Sequence, residues 1–425
     1  MRRAGAVIAS LILCLGAVTL QAQDLSEDTP LGWKAIPLPI LSFNSDLGFQ
    51  FGATTDIYDY GREPSVFPEY LHKFHVEASH YTKGQTLAHI EYDSSHLVDA
   101  VRISASLTAQ IDPLYNFYGF NGISPYDRNV DRNDGVAYYN YKRSLFRFQS
   151  NFLGDITPNI HWVTGLSFSY YVNEELNFSG YDSSNTLYHF LRERGVIRDD
   201  ERKGGFFEFK GGMSFDTRDF EPSPSKGIWG ELYLVGAPDI LGTGYSYLKF
   251  SAHFRHYITP GPDWLTLAYH LAYQGTILGE APFYMQPNIY SLLFKQAYSE
   301  GLGGLNTVRG ILSGRLVGND YAWANFEIRC RVISGLLLGR EWYIAVNPFF
   351  DMGFITRPYR LSELATALDE SEAEIDRKAR ALHKSAGLGL KFGFDRNYIM
   401  SVEGGKSFSN DDGPFSIAIA INYIF

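Results

Sequence analysis

Ala322-Trp323-Ala324-Asn325-Phe326-Glu327-Ile328-Arg329-Cys330-Arg331-Val332 is two patterns interleaved. The odd positions read Trp323, Asn325, Glu327, Arg329 and Arg331. The even ones read Ala324, Phe326, Ile328, Cys330 and Val332. A strand sends successive side chains to opposite faces, so one face carries the charge and the other is wholly apolar. Residues 206–218 repeat the split: Glu208, Lys210, Ser214, Asp216 and Arg218 oppose Phe207, Phe209, Met213 and Phe215. Residues 101–110 sort Arg102, Ser104, Ser106, Thr108 and Gln110 from Val101, Ile103, Ala105 and Leu107. In the last strand Phe415, Ile417, Ile419, Ile421, Tyr423 and Phe425 are expected on one face.

Alternation alone does not choose between a soluble sandwich and a membrane barrel. Segment length and connection length choose. The spacing predicts sixteen strands, many about ten residues long, enough to cross a bilayer at a tilt. They fall at 36–44, 48–59, 72–82, 86–94, 101–110, 141–153, 160–172, 204–218, 227–236, 246–258, 263–274, 321–333, 342–354, 385–394, 398–405 and 414–425. Long connections (111–140, 173–203, 275–320, 355–384) follow odd-numbered strands, and mostly tight ones, such as Asp155-Ile156-Thr157-Pro158 and Asp395-Arg396-Asn397, follow even-numbered strands. Short turns at one end and long loops at the other mark an outer-membrane barrel. Hydrocarbon forbids open sheet edges, so the sheet must close. The expectation is an all-β protein, a transmembrane antiparallel barrel of sixteen strands. Tyr58, Trp264, Trp342 and Tyr423 are placed at its interfacial girdles, and a single helix is expected over 362–383, capped by Ser362, as a loop decoration.

Composition agrees. The 425 residues carry a net charge of −10, 29 Tyr, 31 Phe and 41 Gly, and mean hydropathy is −0.16. That polarity excludes a bundle of apolar spanning helices, and the acidic balance argues against nucleic acid as a partner. Arg2 and Arg3, the uncharged stretch 4–20 and Leu20-Gln21-Ala22 read as a signal peptide over 1–22. Residues 23–35 follow as a short periplasmic segment, and the barrel domain as 36–425. Cys330 alone is left after cleavage, so no intrachain disulfide is expected.

Five short motifs occur in order. They are Phe117-Tyr118-Gly119-Phe120-Asn121-Gly122, Phe215-Asp216-Thr217-Arg218-Asp219, Thr307-Val308-Arg309-Gly310-Ile311, Asn325-Phe326-Glu327-Ile328-Arg329 and Phe349-Phe350-Asp351-Met352-Gly353. Together they resemble the barrel domain of the BamA/TamA-type bacterial surface antigen family over about residues 36–425. The resemblance implies that loop six folds back into the lumen and that Arg309, followed by Gly310, contacts Glu327 and Asp351 on strands twelve and thirteen. The alternation independently turns Glu327 and Asp351 inward, where Arg329, Arg331 and Lys391 are further cations. Ile311 stands where the family usually has an aromatic. Asp216, Arg218 and Asp219 form a second family motif. Tyr423 and Phe425 resemble the terminal signal by which such barrels are recognised for insertion. Pro37 and Pro39 cannot donate to a ladder, so the first strand's seam with the sixteenth is a candidate lateral opening. Family members that assemble or secrete proteins carry POTRA domains before the barrel. Residues 23–35 have no room for one, so a barrel-only member is expected.

Enzymatic signatures are missing: there is no Gly-x-Ser-x-Gly elbow, His-Glu-x-x-His or phosphate-binding loop. His75 and Glu77 face opposite to His80 on a strand and do not make one metal site. Asp127, Asn129 and Asp131 begin like a calcium loop, but Arg132 and Tyr138 stand where Gly and Glu are needed. The sequence thus leads to a non-enzymatic outer-membrane barrel without cofactors. It is expected to assist insertion or translocation of protein or lipid. Its partners would be outer-membrane lipids, the barrel assembly machinery during its own insertion, and unfolded protein. A pore or structural surface barrel is the alternative, and a barrel-embedded hydrolase the remote one.

Overall fold

The computed structural model describes residues 31–44, 47–63, 70–132, 137–177, 183–292, 301–337, 340–394, 398–421, 423 and 425. The segment read as a signal peptide and the turn 395–397 lie outside them. Sixteen antiparallel strands close into one barrel in sequence order. They are β1 (Trp33–Asn44), β2 (Gly48–Asp59), β3 (His72–Tyr81), β4 (Thr86–Val98), β5 (Val101–Asn116), β6 (Asn140–Thr157), β7 (Ile160–Glu174) and β8 (Lys203–Asp216), then β9 (Gly227–Ala237), β10 (Tyr247–Ile258), β11 (Leu265–Gly279), β12 (Asp320–Leu337), β13 (Arg340–Arg357), β14 (His383–Phe394), β15 (Tyr398–Ser407) and β16 (Ser416–Ile421).

The wall is inside out relative to a soluble protein. On β12, Phe326 and Ile328 are 38% and 45% exposed, while Asn325, Glu327 and Arg329 are 0%, 3% and 4% exposed. Apolar side chains face outward because lipid receives them, and polar ones face inward because the lumen supplies partners. Trp33 and Trp264 stand exposed at the short-turn end, where amphipathic rings sit at a membrane interface.

The seam is uneven. β1 pairs with β2 along its whole length, Trp33 opposite Asp59 through Asn44 opposite Gly48. Its ladder with β16, among the described residues, is Asn44 opposite Ala418. Strand β16 stops at Ile421, and this corrects the expected last strand. Phe415 and Ile417 are exposed, but Tyr423 and Phe425 are buried. The six residues therefore do not share one face, and Tyr423 is no girdle residue. The cause is a seat for the last rings inside the lumen, described below.

At the long-loop end the connections pack on one another. Phe117, Phe120, Tyr188, Phe283, Leu364 and Ile375 belong to one buried apolar cluster contributed by four different loops. Asn121, at φ +60°, ties two of these loops: its Nδ2 donates to Tyr359 O at 2.8 Å and its Oδ1 accepts from Tyr359 N at 2.7 Å. The expected single helix is two, Leu361–Leu368 and Glu372–Ala379. Asp369 at φ +55° ends the first, and Ser371 caps the second by accepting from Glu374 N. Ser362 is not the cap, since Arg360 holds that position. Both helices bury residues in the apolar cluster, so they are part of a lid over the barrel and not an ornament. Short helices at Arg128–Arg132 and Leu187–Glu193 were not expected.

Candidate functional site

Residues 280–292 and 301–319, between β11 and β12, do not stay above the barrel. Their first limb lies along the inner wall. Gln274 on β11 brackets it, Nε2 donating to Asn288 O at 2.7 Å and Oε1 accepting from Tyr290 N at 3.0 Å. Glu231 on β9 accepts from Leu292 N at 2.7 Å, from Ser291 Oγ at 2.8 Å and from Arg255 Nη1 at 2.5 Å. From the far side of the lumen, Arg147 on β6 donates to Asn288 Oδ1 at 3.2 Å.

The second limb carries Arg309. Its Nε and Nη2 donate to Oδ2 and Oδ1 of Asp351, both at 2.8 Å, and its backbone N–H donates to Oδ2 at 3.0 Å. Nη1 donates to Glu327 Oε1 at 2.5 Å. The planar guanidinium fork matches a carboxylate's two oxygens, which an ammonium cannot do. The guanidinium also lies 3.7 Å from the Phe349 ring centroid. That ring rests on a floor where any side chain would collide: an added Cβ at Gly387 or Gly405 would stand 2.3 or 2.8 Å from Phe349 Cζ. Gly310, at φ +78°, lets the loop touch β15, and its added Cβ would stand 2.6 Å from Lys406 N. Its carbonyl accepts from Ser407 N at 2.9 Å.

The alternation turned Glu327 and Asp351 inward and Lys391 was expected as a cation beside them, but one other member of the cluster went unassigned. Glu403 on β15 lies 3.6 Å from Arg309 Nη1. Lys391 on β14 pairs with Glu403. Glu403 shares the inward parity of Ser401 and Ser407, which was the available signal. Arg329 joins the cluster by donating Nε to Glu327 Oε2 at 2.9 Å. Arg331 does not. It is exposed, beside a register shift in the β12–β13 ladder, with its guanidinium over Tyr343. Arg309, Arg329 and Lys391 therefore face Glu327, Asp351 and Glu403, three side-chain charges of each sign.

The Asp216–Asp219 motif lies in another turn and meets the cluster through Arg329, whose Nη1 donates to Pro224 O at 3.4 Å. Arg218 chelates Asp216, Nε at 2.9 and 3.0 Å from its two oxygens, and stacks on Trp229 at 4.0 Å. Asp219 accepts from Ser225 N at 2.8 Å, Ser225 Oγ at 2.5 Å and Lys226 N at 3.1 Å. Burial pushes the Asp219 carboxyl up, but the Ser225 and Lys226 hydrogen bonds outweigh it and hold the group below its ordinary value. This motif builds the β8–β9 turn, far from the Arg309 cluster in the chain. Pro37 and Pro39 are exposed on β1, opposite Thr55 and Ala53 of β2. His75 Nδ1 bonds Asp56 Oδ1 at 2.8 Å, whereas His80 bonds Thr86 on the other face. Asp127 Oδ1 accepts from Asn129 N, and the Asp131 side chain lies outside the described residues. Among the described residues no three His, Cys, Asp or Glu groups converge as a metal centre.

A closed sixteen-stranded wall, apolar outward and polar inward, with Arg309 of the β11–β12 connection bonded to inward carboxylates of β12 and β13, defines a transmembrane barrel. Residues 72–394 match the Omp85 superfamily domain, and the chain belongs to that superfamily. No curated protein matches it. Among solved structures, BamA from Haemophilus ducreyi lacking POTRA domains 1–3 is 14% identical. Its TM-score is 0.57, over 93% of this chain and 71% of that one. CdiB from Escherichia coli is 9% identical at a TM-score of 0.54, over 92% of this chain and 62% of that one. At these identities the likeness is one of fold.

Proposed function

We propose that this chain assists the insertion or translocation of protein or lipid at the bacterial outer membrane, without enzymatic chemistry. Its working parts are the Arg309 latch and the seam between β1 and β16. The observation that carries the reading is the Arg309 cluster: one loop arginine holds carboxylates of β12 and β13 and fixes a plug beside the seam. The packing of loop residues 288–292 and 307–309 against inward wall side chains favours this reading over an open pore. Partners on this reading are outer-membrane lipids, unfolded polypeptide and the machinery that inserts the barrel itself, for which Tyr423 and Phe425 are the recognition residues.

Depletion tests it. Outer-membrane fractions from depleted cells are expected to lose other barrel proteins, or to show phospholipid in the outer leaflet. Unaltered barrel content together with unaltered lipid asymmetry would reject the role and leave a structural surface barrel.

A further inference from the structure

The seat that holds Tyr423 and Phe425 inside the lumen is built on Arg329. Its Nη2 donates to Phe425 O at 2.7 Å. Its guanidinium lies 4.1 Å from the Tyr423 ring centroid and 5.2 Å from that of Phe425, within range of cation–π attraction. Tyr257 and His270 complete the seat, their ring centroids 6.4 and 5.5 Å from that of Phe425. Phe425 is only 4% exposed.

This seat takes residues away from the seam. The register Asn44 opposite Ala418, stepped five residues back along β1 and five forward along the chain, sets Pro39 opposite Tyr423. Stepped seven, it sets Pro37 opposite Phe425. Residues directly opposite share a face of the sheet, and both prolines are exposed. A longer seam would therefore place Tyr423 and Phe425 on the lipid face beside Phe415 and Ile417. The period-two pattern from Phe415 to Phe425 is written for that position, yet the rings sit in the lumen. The same residues have two compatible docking places.

One carboxylate joins this seat to the latch. Glu327 gives Oε1 to Arg309 Nη1 at 2.5 Å and Oε2 to Arg329 Nε at 2.9 Å. We propose that Arg329 is a coupling residue: it holds the Phe425 segment in the lumen through the carboxylate that also holds the loop latch, so that latch and seam length change together. The coupling rests on the latch-and-seam reading above. Loss of Arg309 frees Glu327 Oε1, draws Arg329 fully onto the carboxylate and loosens its hold on Phe425.

The test reads seam geometry. The extended register sets Ile40 opposite Asn422, so the pair Ile40→Cys with Asn422→Cys, in a Cys330→Ser background, forms a disulfide when the seam lengthens. Yield is measured on oxidised outer membranes by non-reducing gel, counting only heat-modifiable, folded barrel. Arg329→Gln is expected to raise the yield at least threefold. Arg329→Lys is expected to keep it near the starting level, because an ammonium still donates to Phe425 O. Arg309→Ala should raise it at least twofold, and adding Arg329→Gln should give less than the product of the two effects. An unchanged yield in Arg329→Gln, or effects that simply multiply, overturns the coupling. Should Arg329→Gln fail to fold, Tyr257→Leu thins the seat and leaves Glu327 untouched; a raised yield supports the proposal and an unchanged one overturns it. The assay does not depend on client handling. A raised yield with normal outer-membrane composition keeps the coupling and removes the proposed function, and the reverse result does the opposite.

Discussion

Arg309 reaches both oxygens of Asp351 with two different nitrogens at the same 2.8 Å, and its own backbone N–H makes a third bond to the same carboxylate. A side-chain fork alone would leave the loop free to pivot about the guanidinium. The backbone bond removes that pivot, so β13 fixes the loop's path as well as its charge. With Phe349 stacked under the guanidinium, Arg309 is held from three directions, and Glu327 adds a fourth partner on the neighbouring strand.

Replacing Arg309 by Ala leaves Asp351 and Glu327 buried without their main counter-charge. Breaking a buried pair by removing one partner typically costs about 3–5 kcal/mol. The expected result is a lower urea midpoint for loss of the heat-modifiable folded form, together with raised conductance in planar bilayers as the plug loosens. Arg309→Lys is expected to recover charge but not the two-pronged geometry, and to fall between the two. Conductance equal to the unsubstituted protein in Arg309→Ala would reject the latch.

Gly310→Ala separates backbone strain from contact. At φ +78° an alanine pays roughly 1–2 kcal/mol for the left-handed backbone, and its Cβ collides with Lys406 N. Gly195 has φ +73° with nothing within 4 Å of an added Cβ, so Gly195→Ala carries the backbone cost alone. Urea midpoints should show Gly310→Ala clearly the less stable of the two. Equal midpoints would show that β15 yields to the loop.

The barrel was legible because lipid imposes a strict rule on its wall. Asn325, Glu327 and Arg329 against Phe326 and Ile328 state that rule within five residues. The lid was not legible. Phe120, Tyr188, Phe283 and Ile375 come from four loops with no common period, and only the fold brings them together. Asp369 was overlooked because a left-handed residue leaves no mark on a helical pattern of apolar positions. The burial of Phe425 escaped for a different reason: its sequence parity describes the lipid face, and a luminal arginine on a strand remote in sequence overrides it. Arg309, Glu327 and Asp351 were found through motif order. Glu403 belongs to no motif, and parity alone would have proposed too many candidates.

The lid also has a titratable clasp. Asp412, outside the strands, accepts from His383 Nδ1 at 2.8 Å and Ser407 Oγ at 2.7 Å. Burial pushes its carboxyl up, but these hydrogen bonds outweigh burial and the group sits below the ordinary value of 3.8. A carboxylate with a depressed folded value contributes stability that is complete above its unfolded value and lost as pH falls through the folded one. Protease sensitivity of residues 408–415 should therefore rise below about pH 4, the usual range for Asp. In Asp412→Asn the sensitivity should already be raised at neutral pH and show no such acid step. An acid step of unchanged size in the variant would assign it to another group.

The charge balance of the lumen predicts an inversion of the usual order of damage. Lys391 and Glu403 pair on adjacent strands, and Glu403 also lies 3.6 Å from Arg309. Glu403→Gln alone leaves Lys391 buried and unpaired, with the cluster one positive charge in excess. Lys391→Met alone leaves Glu403 with only the longer Arg309 contact. Removing both restores neutrality, with Arg309 and Arg329 facing Asp351 and Glu327, and fills the space with an apolar chain of similar length. Buried pairs replaced whole are often nearly neutral, while half-pairs are costly. The double variant is therefore expected to be more stable than either single one, its loss falling short of the sum of the two single losses by at least about 1 kcal/mol, a coupling in the range for residues in direct contact. Midpoints of unfolding for all four proteins settle it. If the two single losses simply add in the double, water in the lumen already screens Lys391 from Glu403, and the latch is a surface-strength contact.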